Sequence, residues 1–204
     1  MNKRLNFSDA PAGVEALLLE YRARKKIYDT DKITFAGVGG NDVYNISRPF
    51  PSNGKTYIAG RVEPRDSEIG KVLFFARERG NLYTLVPDTE IDMLQDPCVT
   101  VLADGSAVIG GTKIFMNDSG GISSWATAFY KGDGIFGLRE FARAPMHMKD
   151  VRFVPFNDGT AVFTRPQGGR FGYGKIGFLT LASPEQITPE ALTAAEVFDC
   201  HFRS

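Results

Sequence analysis

VTVLADGSAVIGGTKI, from Val99 to Ile114, reads as two short β-strands joined by the turn Asp104-Gly105. Asp-Gly is a strong hairpin signal because both residues tolerate positive φ. Similar turns, Asn53-Gly54 and Asp158-Gly159, lie roughly 50 residues to either side, a separation typical of one four-stranded propeller blade. The sequence therefore predicts an all-β protein, a β-propeller.

Further runs rich in β-branched and aromatic residues surround these turns, and we read them as about three consecutive blades between residues 31 and 200. A β-sandwich also contains many short strands and is the alternative, but the repeat spacing favours the propeller. The strands are predicted at 33–38, 56–62, 71–76, 82–86, 99–102, 107–111, 124–130, 151–155, 160–164 and 175–181.

A helical pattern comes first in the chain, over residues 11–28, where Val14, Leu17, Leu18 and Tyr21 recur at helical spacing. We therefore divide the chain into an N-terminal helical segment, residues 1–30, and propeller blades, residues 31–204. A second, short helix is predicted at 189–195, because Thr188-Pro189-Glu190 resembles a helix start, and a last strand at 196–202.

The composition excludes several classes of protein. Lys plus Arg and Asp plus Glu both number 24, so the chain lacks the basic excess of a nucleic-acid binder. No apolar run approaches the roughly 18 residues of a membrane span, and residues 1–5 do not begin a signal peptide. Cys98 and Cys200 are read as reduced thiols. We expect a cytoplasmic protein.

Short polar motifs recur along the predicted blades, and together they resemble the mannoside phosphorylases and their relatives, which are five-bladed propeller glycosidases. Their order and spacing match over most of residues 40–185, with the nearest resemblance to uncharacterised members. The motifs are Tyr44-Asn45, the run from Tyr57 to Glu63, Arg65-Asp66, Gln95-Asp96-Pro97, the run from Lys149 to Pro155, and Thr164-Arg165-Pro166.

The resemblance implies that Asp96 is a general acid, which protonates the leaving oxygen through a sugar hydroxyl while phosphate attacks the anomeric carbon from the opposite face. No cofactor is predicted, and inorganic phosphate is a possible co-substrate. Met146-His147-Met148 offers too few ligands for a metal site. The predicted substrate- and phosphate-binding residues are Asn45, Arg61, Glu63, Lys149 and Arg165.

Two departures from the family pattern bear on phosphate use. Gln95 stands where the family usually has Glu, and Cys98 stands where it usually has Arg, so one cation near the acid is missing. A hydrolase would instead need a base for water, about 6.5–9.5 Å from the acid in an inverting enzyme. Asp42 and Asp150 are the first candidates for that base, ahead of Glu63 and Asp66.

The length of the chain conflicts with a complete five-bladed propeller, which needs roughly 250 residues. We expect three blades and part of a fourth, and we favour a shortened form of a longer protein. The alternative is a chain that associates, for example with copies of itself, to cover its open faces.

The sequence predicts a glycoside-processing enzyme, a phosphorylase (transferase) or hydrolase of β-mannoside-like oligosaccharides. The alternative is a non-catalytic carbohydrate-binding or interaction propeller. The residues also allow plainer roles: Asp96 as a turn cap, Arg61 and Glu63 as a same-face ion pair, and Lys149-Asp150 as a solvated turn.

Overall fold

The computed structural model describes residues 13–198 of the chain. Its N-terminal part contains one helix, α1 (Val14–Arg24), which ends four residues before the predicted boundary and contains no buried residue. Residues 11 and 12 of the predicted helix lie outside the described range. The contacts within the chain separate this part from a compact unit, Lys32–Phe198.

The first sheet of the compact unit contains seven strands in the order β1-β6-β5-β4-β2, with β3 paired to β4 and β7 to β5. All neighbours are antiparallel except β1 and β6, which are parallel. The strands are β1 (Thr34–Ala36), β2 (Asp42–Tyr44), β3 (Phe50–Ser52), β4 (Lys55–Glu63), β5 (Lys71–Arg79), β6 (Leu82–Leu85) and β7 (Ile91–Asp92).

The second and third sheets are four-stranded antiparallel meanders. The second contains β8 (Leu94–Val101), β9 (Ala107–Met116), β10 (Ile122–Asp133) and β11 (Phe136–Arg143). The third contains β12 (Arg152–Phe156), β13 (Gly159–Thr164), β14 (Ile176–Leu181) and β15 (Glu196–Phe198). The predicted last strand continued to 202, and its final residues lie outside the described range.

Short helices occur only around the last two strands of the third sheet, within the part of the chain that is described. They are α2 (Pro189–Thr193) and two 3-10 turns, Gly169–Phe171 and Pro184–Gln186. The hydroxyl of Thr188 accepts a hydrogen bond from the backbone N–H of Ala191, which caps α2 as the sequence indicated.

The three predicted turns each join two consecutive antiparallel strands of one sheet: β3 and β4, β8 and β9, and β12 and β13. Asn53 and Gly54 have φ of 45° and 73°, Gly105 has φ of 84°, and Asn157 has φ of 51°. Residues that adopt positive φ at low cost therefore lie where each chain reversal requires it. Three successive sheets with this repeat confirm the all-β propeller prediction.

Apolar side chains between the sheets join them into one unit. A first cluster lies between the first and second sheets and includes Phe50, Phe74, Leu94, Ile109 and Ile135. A second cluster lies between the second and third sheets and includes Val108, Phe129, Val151, Phe153 and Val162. The close approach of β9 to β8 also requires glycine at position 111, because a Cβ there would lie 2.7 Å from Cγ of Leu94 and 2.8 Å from the Gln95 carbonyl oxygen.

The structure differs from the sequence prediction in the position of Asp96 and in four strands that were not predicted, β2, β3, β7 and β11. Asp96 was placed before a strand beginning at Val99, but it lies inside β8, where a bulge interrupts the pairing with β9 between Gln95 and Cys98. β11 was missed because its sequence, FGLREFAR, alternates weakly between apolar and polar residues. Among the described residues, no helix combines the length and apolar character needed to cross a membrane.

Candidate active site

The site is built first on three residues, two acidic and one amide, with one from each sheet. Asn45 follows β2, Asp96 lies in β8 and Asp150 precedes β12. All three have positive φ, at 46°, 51° and 60°. Asn and Asp tolerate this conformation better than most residues. Within or beside a strand, this conformation interrupts the regular alternation of side chains.

Asp96 is held from the neighbouring sheet by two donors. The side-chain nitrogen Nδ2 of Asn45 donates a hydrogen bond of 2.6 Å to Oδ1 of Asp96. Nη1 of Arg61 donates a second bond, of 3.2 Å, to the same oxygen. These two bonds fix the Asp96 side chain. It is 28% exposed, and solvent can therefore still reach it.

Arg61 is itself fixed by Glu63, two residues further along β4 on the same face. Nε of Arg61 lies 2.8 Å from Oε2 of Glu63, and Nη2 lies 3.1 Å from Oε1. Both residues are buried, and the guanidinium of Arg61 also lies 5.0 Å from the centre of the Tyr44 ring. Arg61 therefore joins two carboxylates, and three of its N–H groups are already used.

A second group of charges surrounds Asp150. Nη1 of Arg165 lies 2.5 Å from Oδ2 of Asp150, and Nη2 of Arg152 lies 3.9 Å from Oδ1. The same Nη2 of Arg152 donates a bond of 3.4 Å to the backbone carbonyl of Asp96. Arg152 thus links the second and third sheets at the site.

The two groups meet at an open depression. Its lining residues are Asn45, Ile46, Asp96, Pro97, Asp150 and Arg152. Of the residues predicted from sequence, the structure brings together Asn45, Asp96 and Asp150 at the surface, with Arg61 and Glu63 beside Asp96 and Arg165 beside Asp150.

Two predicted residues stand apart. The Asp42 carboxylate accepts bonds of 3.0 and 2.7 Å from Arg65, and that hydrogen bonding holds the pKa of Asp42 below its usual value. Lys149 is half-buried beside Asp150, and within the described chain no hydrogen bond or ion pair joins it to the site. Asp42 and Lys149 are therefore not among the residues that line the depression.

Arg152 is the residue that the sequence analysis did not single out. It lies two positions after Asp150, in the motif Lys149-Asp150-Val151-Arg152, and this spacing was the available signal. Cys98, where the resemblance predicts an arginine, is partly buried. Burial raises the pKa of its thiol, and the nearby Arg152 acts to lower that pKa. Arg152 thus brings a cation close to Cys98.

No metal centre was predicted. In the described part of the chain, no group of three or more His, Cys, Asp or Glu side chains could hold an ion. The ring of His147 packs against that of Trp125, with ring centres 5.1 Å apart and the two planes tilted by 33°.

Comparison with known proteins extends this description. A family model described as "Protein of unknown function (DUF1861)" matches residues 20–204. MPT-4, a mannose phosphorylase from Leishmania mexicana solved in complex with a phosphate ion, is 34% identical with a TM-score of 0.80, over 89% of this chain and 56% of that chain. MPT-1, a GDP-Man-dependent mannosyltransferase from the same organism, is 29% identical with a TM-score of 0.78, over 92% of this chain and 58% of that chain.

A more distant structure shares the fold alone. Zg3597, a family 117 glycoside hydrolase of the marine bacterium Zobellia galactanivorans, is 13% identical with a TM-score of 0.57, over 86% of this chain and 61% of that chain. A search of curated protein sequences gives no match. These comparisons confirm the resemblance to mannoside phosphorylases, and the chain spans little more than half the length of the two Leishmania proteins.

Proposed function

We infer the function from the premise that this chain belongs to the family described as "Protein of unknown function (DUF1861)". In this proposal the chain carries the acid of a glycoside-processing site. The substrates are β-mannoside-like oligosaccharides, and the reaction is phosphorolysis or hydrolysis with Asp96 as the single general acid. The likeness to a mannose phosphorylase and to a mannosyltransferase supports this choice of sugar.

One observation carries the proposal. Asp96 is held by Asn45 and Arg61 and faces a depression that Asp150 and Arg152 also line. Cleavage of a glycosidic bond requires an acid that is fixed in orientation and within reach of the leaving oxygen. A carboxyl group that only capped a turn would not need two donors from another sheet.

Phosphorolysis is favoured by the charges around Asp150. Arg152 and Arg165 face this single carboxylate, so cations exceed acids on that side of the site. A guanidinium presents a planar pair of donors that matches phosphate oxygens. Arg61 is better suited to orient Asp96 than to bind phosphate, because Glu63 and Asp96 already occupy it.

Hydrolysis needs a base for water, and the geometry separates the two candidates. Asp150 shares the depression with Asp96, whereas Asp42 is bound to Arg65 outside it. The hydrolytic version of the proposal therefore assigns the base to Asp150.

The decisive experiment compares the unmodified chain with Asp96→Asn and varies the co-substrate. Purified protein is incubated with β-mannoside oligosaccharides, with and without inorganic phosphate, and with GDP-mannose plus an oligosaccharide acceptor. Phosphate-dependent release of a sugar phosphate identifies a phosphorylase, release of free sugar in water identifies a hydrolase, and consumption of GDP-mannose identifies a transferase.

We expect Asp96→Asn to lower turnover by at least about a hundredfold, in line with the usual contribution of a general acid, while oligosaccharide binding measured by calorimetry persists. Asp42→Asn is the matched control and should retain activity. Binding without turnover in the unmodified chain would favour the non-catalytic carbohydrate-binding propeller. If neither oligosaccharide binding nor turnover is detected, the interaction propeller is the remaining alternative.

A further inference from the structure

The two hydrogen bonds on Asp96 converge on one of its two carboxylate oxygens. Asn45 and Arg61 both donate to Oδ1, at 2.6 and 3.2 Å. Among the described residues, no donor is bonded to Oδ2. The two donors occupy the acceptor capacity of Oδ1 and favour negative charge there, so a proton on this carboxyl group belongs on Oδ2.

The two donors are held in different ways. Arg61 is buried and fixed by two bonds to Glu63. Asn45 is exposed, and its amide reaches Asp96 because the backbone adopts a φ of 46° directly after β2. A non-glycine residue held at positive φ beside a catalytic candidate is a feature that functional sites often contain.

We propose that Asn45 is a positioning residue that, together with Arg61, holds Oδ1 of Asp96 so that Oδ2 carries the transferable proton. This inference rests on the proposed function, since it assigns a role to Asn45 in the same reaction. It also differs from the sequence interpretation of Asn45 as a substrate-binding residue, because the side chain acts through Asp96.

The chemical step balances around this arrangement. The Oδ2–H bond breaks as a new O–H bond forms toward the leaving glycosidic oxygen, directly or through a sugar hydroxyl. The electron pair of the anomeric C–O bond moves to that oxygen, and phosphate or water supplies the pair for the new bond at carbon. In the hydrolytic version the attacking water gives a proton to Asp150. Asp96 remains as a carboxylate whose charge faces Asn45 and Arg61.

Several charged or titratable groups face Asp96 from the packed elements. They are Arg61 and Glu63 from β4, and Asp150 and Arg152 at β12. Glu68, in the turn after β4, acts on Glu63. Asn45 is neutral. Replacing it changes none of these charges, and a change in pH dependence then reports the lost hydrogen bond.

The test variant is Asn45→Gly, because glycine keeps the positive φ and removes only the amide. Asn157→Gly, at φ 51° in the hairpin between β12 and β13, is the matched control for backbone effects. We expect Asn45→Gly to lower kcat about tenfold with KM changed less than about twofold, since orientation of the acid is lost. The pH dependence of kcat should change as well, because the lost hydrogen bond acts on the acid itself.

Two kinetic results would overturn the inference. One is a profile for Asn45→Gly that matches Asn157→Gly. The other is a rise in KM with kcat and the pH profile unchanged, which identifies direct substrate binding by Asn45.

A measurement that needs no activity separates this inference from the proposed function. The side-chain amide signal of Asn45 in ¹⁵N-labelled protein should shift as Asp96 ionises, and this shift should vanish in Asp96→Asn. If the side-chain amide signal of Asn45 does not change with pH in the unmodified chain, the inference is contradicted. If the Asn45 amide signal changes with pH but the chain shows no turnover, the hydrogen bond is supported and only the proposed function is contradicted.

Discussion

At the scale of single residues, the site depends on a buried guanidinium shared by two carboxylates. Arg61 and Glu63 have exposed fractions of 8% and 6%, so neither charge is compensated by water. Breaking a buried pair by removing one charge is costly, because the other charge stays buried. Glu63 therefore acts on Asp96 indirectly, by keeping Arg61 in place.

Glu63→Gln is expected to destabilise the fold by about 2–3 kcal/mol, somewhat less than a fully broken buried pair, since Asp96 still faces Arg61. The measurement is urea unfolding at neutral pH. Asp42→Asn removes the charge from the exposed pair with Arg65 and should leave the midpoint unchanged. Equal effects of the two variants would show that the burial of Arg61 and Glu63 does not determine their contribution.

At the scale of elements, the second sheet is joined by ionic contacts as well as backbone pairing. Glu140 of β11 accepts hydrogen bonds from Lys113 of β9, at 2.9 Å, and from Tyr130 of β10, at 3.3 Å. It also pairs with Arg143 in its own strand. Burial raises the pKa of Glu140, but the bonds from Arg143 and Lys113 outweigh it and hold that pKa below its usual value.

The lowered pKa makes the contribution of Glu140 dependent on pH. Its ionised form is favoured in the folded state, so its stabilisation is present above the ordinary pKa of a glutamate and is lost as pH falls through the folded value. Glu140→Gln should lose about 1–2 kcal/mol of unfolding free energy at pH 7 and almost nothing at strongly acidic pH.

Unfolding curves at several pH values check this expectation, with Glu78→Gln on the exposed end of β5 as the control. A loss that stays constant down to the acidic end would mean that the amide disturbs packing instead.

At the scale of the whole compact unit, stability comes from cores that lie between sheets. Phe129 of β10 is 1% exposed and meets Phe153 of β12 edge to face, with ring centres 5.3 Å apart. The second sheet also packs against the first through Leu94 and Ile109. Because the second sheet contributes to both cores, we expect the three sheets to unfold together.

Phe129→Ala should cost about 3–5 kcal/mol, the usual range for a buried phenylalanine. Phe156→Ala, at a position 52% exposed on β12, is the control and should cost much less. Trp125, the single tryptophan, reports on the second sheet by fluorescence, and circular dichroism reports on all strands. The two midpoints should coincide and fall together in Phe129→Ala. Separate transitions would mean that the sheets unfold independently.

The sequence by itself determined the repeated β-pattern, because turn chemistry is local. Asn53-Gly54, Asp104-Gly105 and Asn157-Asp158-Gly159 tolerate positive φ wherever they occur, so their roughly 50-residue spacing was sufficient to predict successive blades. The capped start of α2 at Thr188 was readable for the same reason. The resemblance of short motifs directed attention to Asp96 and Arg61.

Only the tertiary structure decided which charges meet. Asp96 lies 51 residues from Asn45 and 35 from Arg61 along the chain, and no local pattern predicts that both bond to the same oxygen. Asp42 and Asp150 looked equivalent in the sequence, yet one pairs with Arg65 and the other shares the depression with Asp96. The physical reason is that hydrogen-bond partners across blades depend on how the sheets pack and on the bulge at Asp96, and neither is encoded in the alternation of single strands.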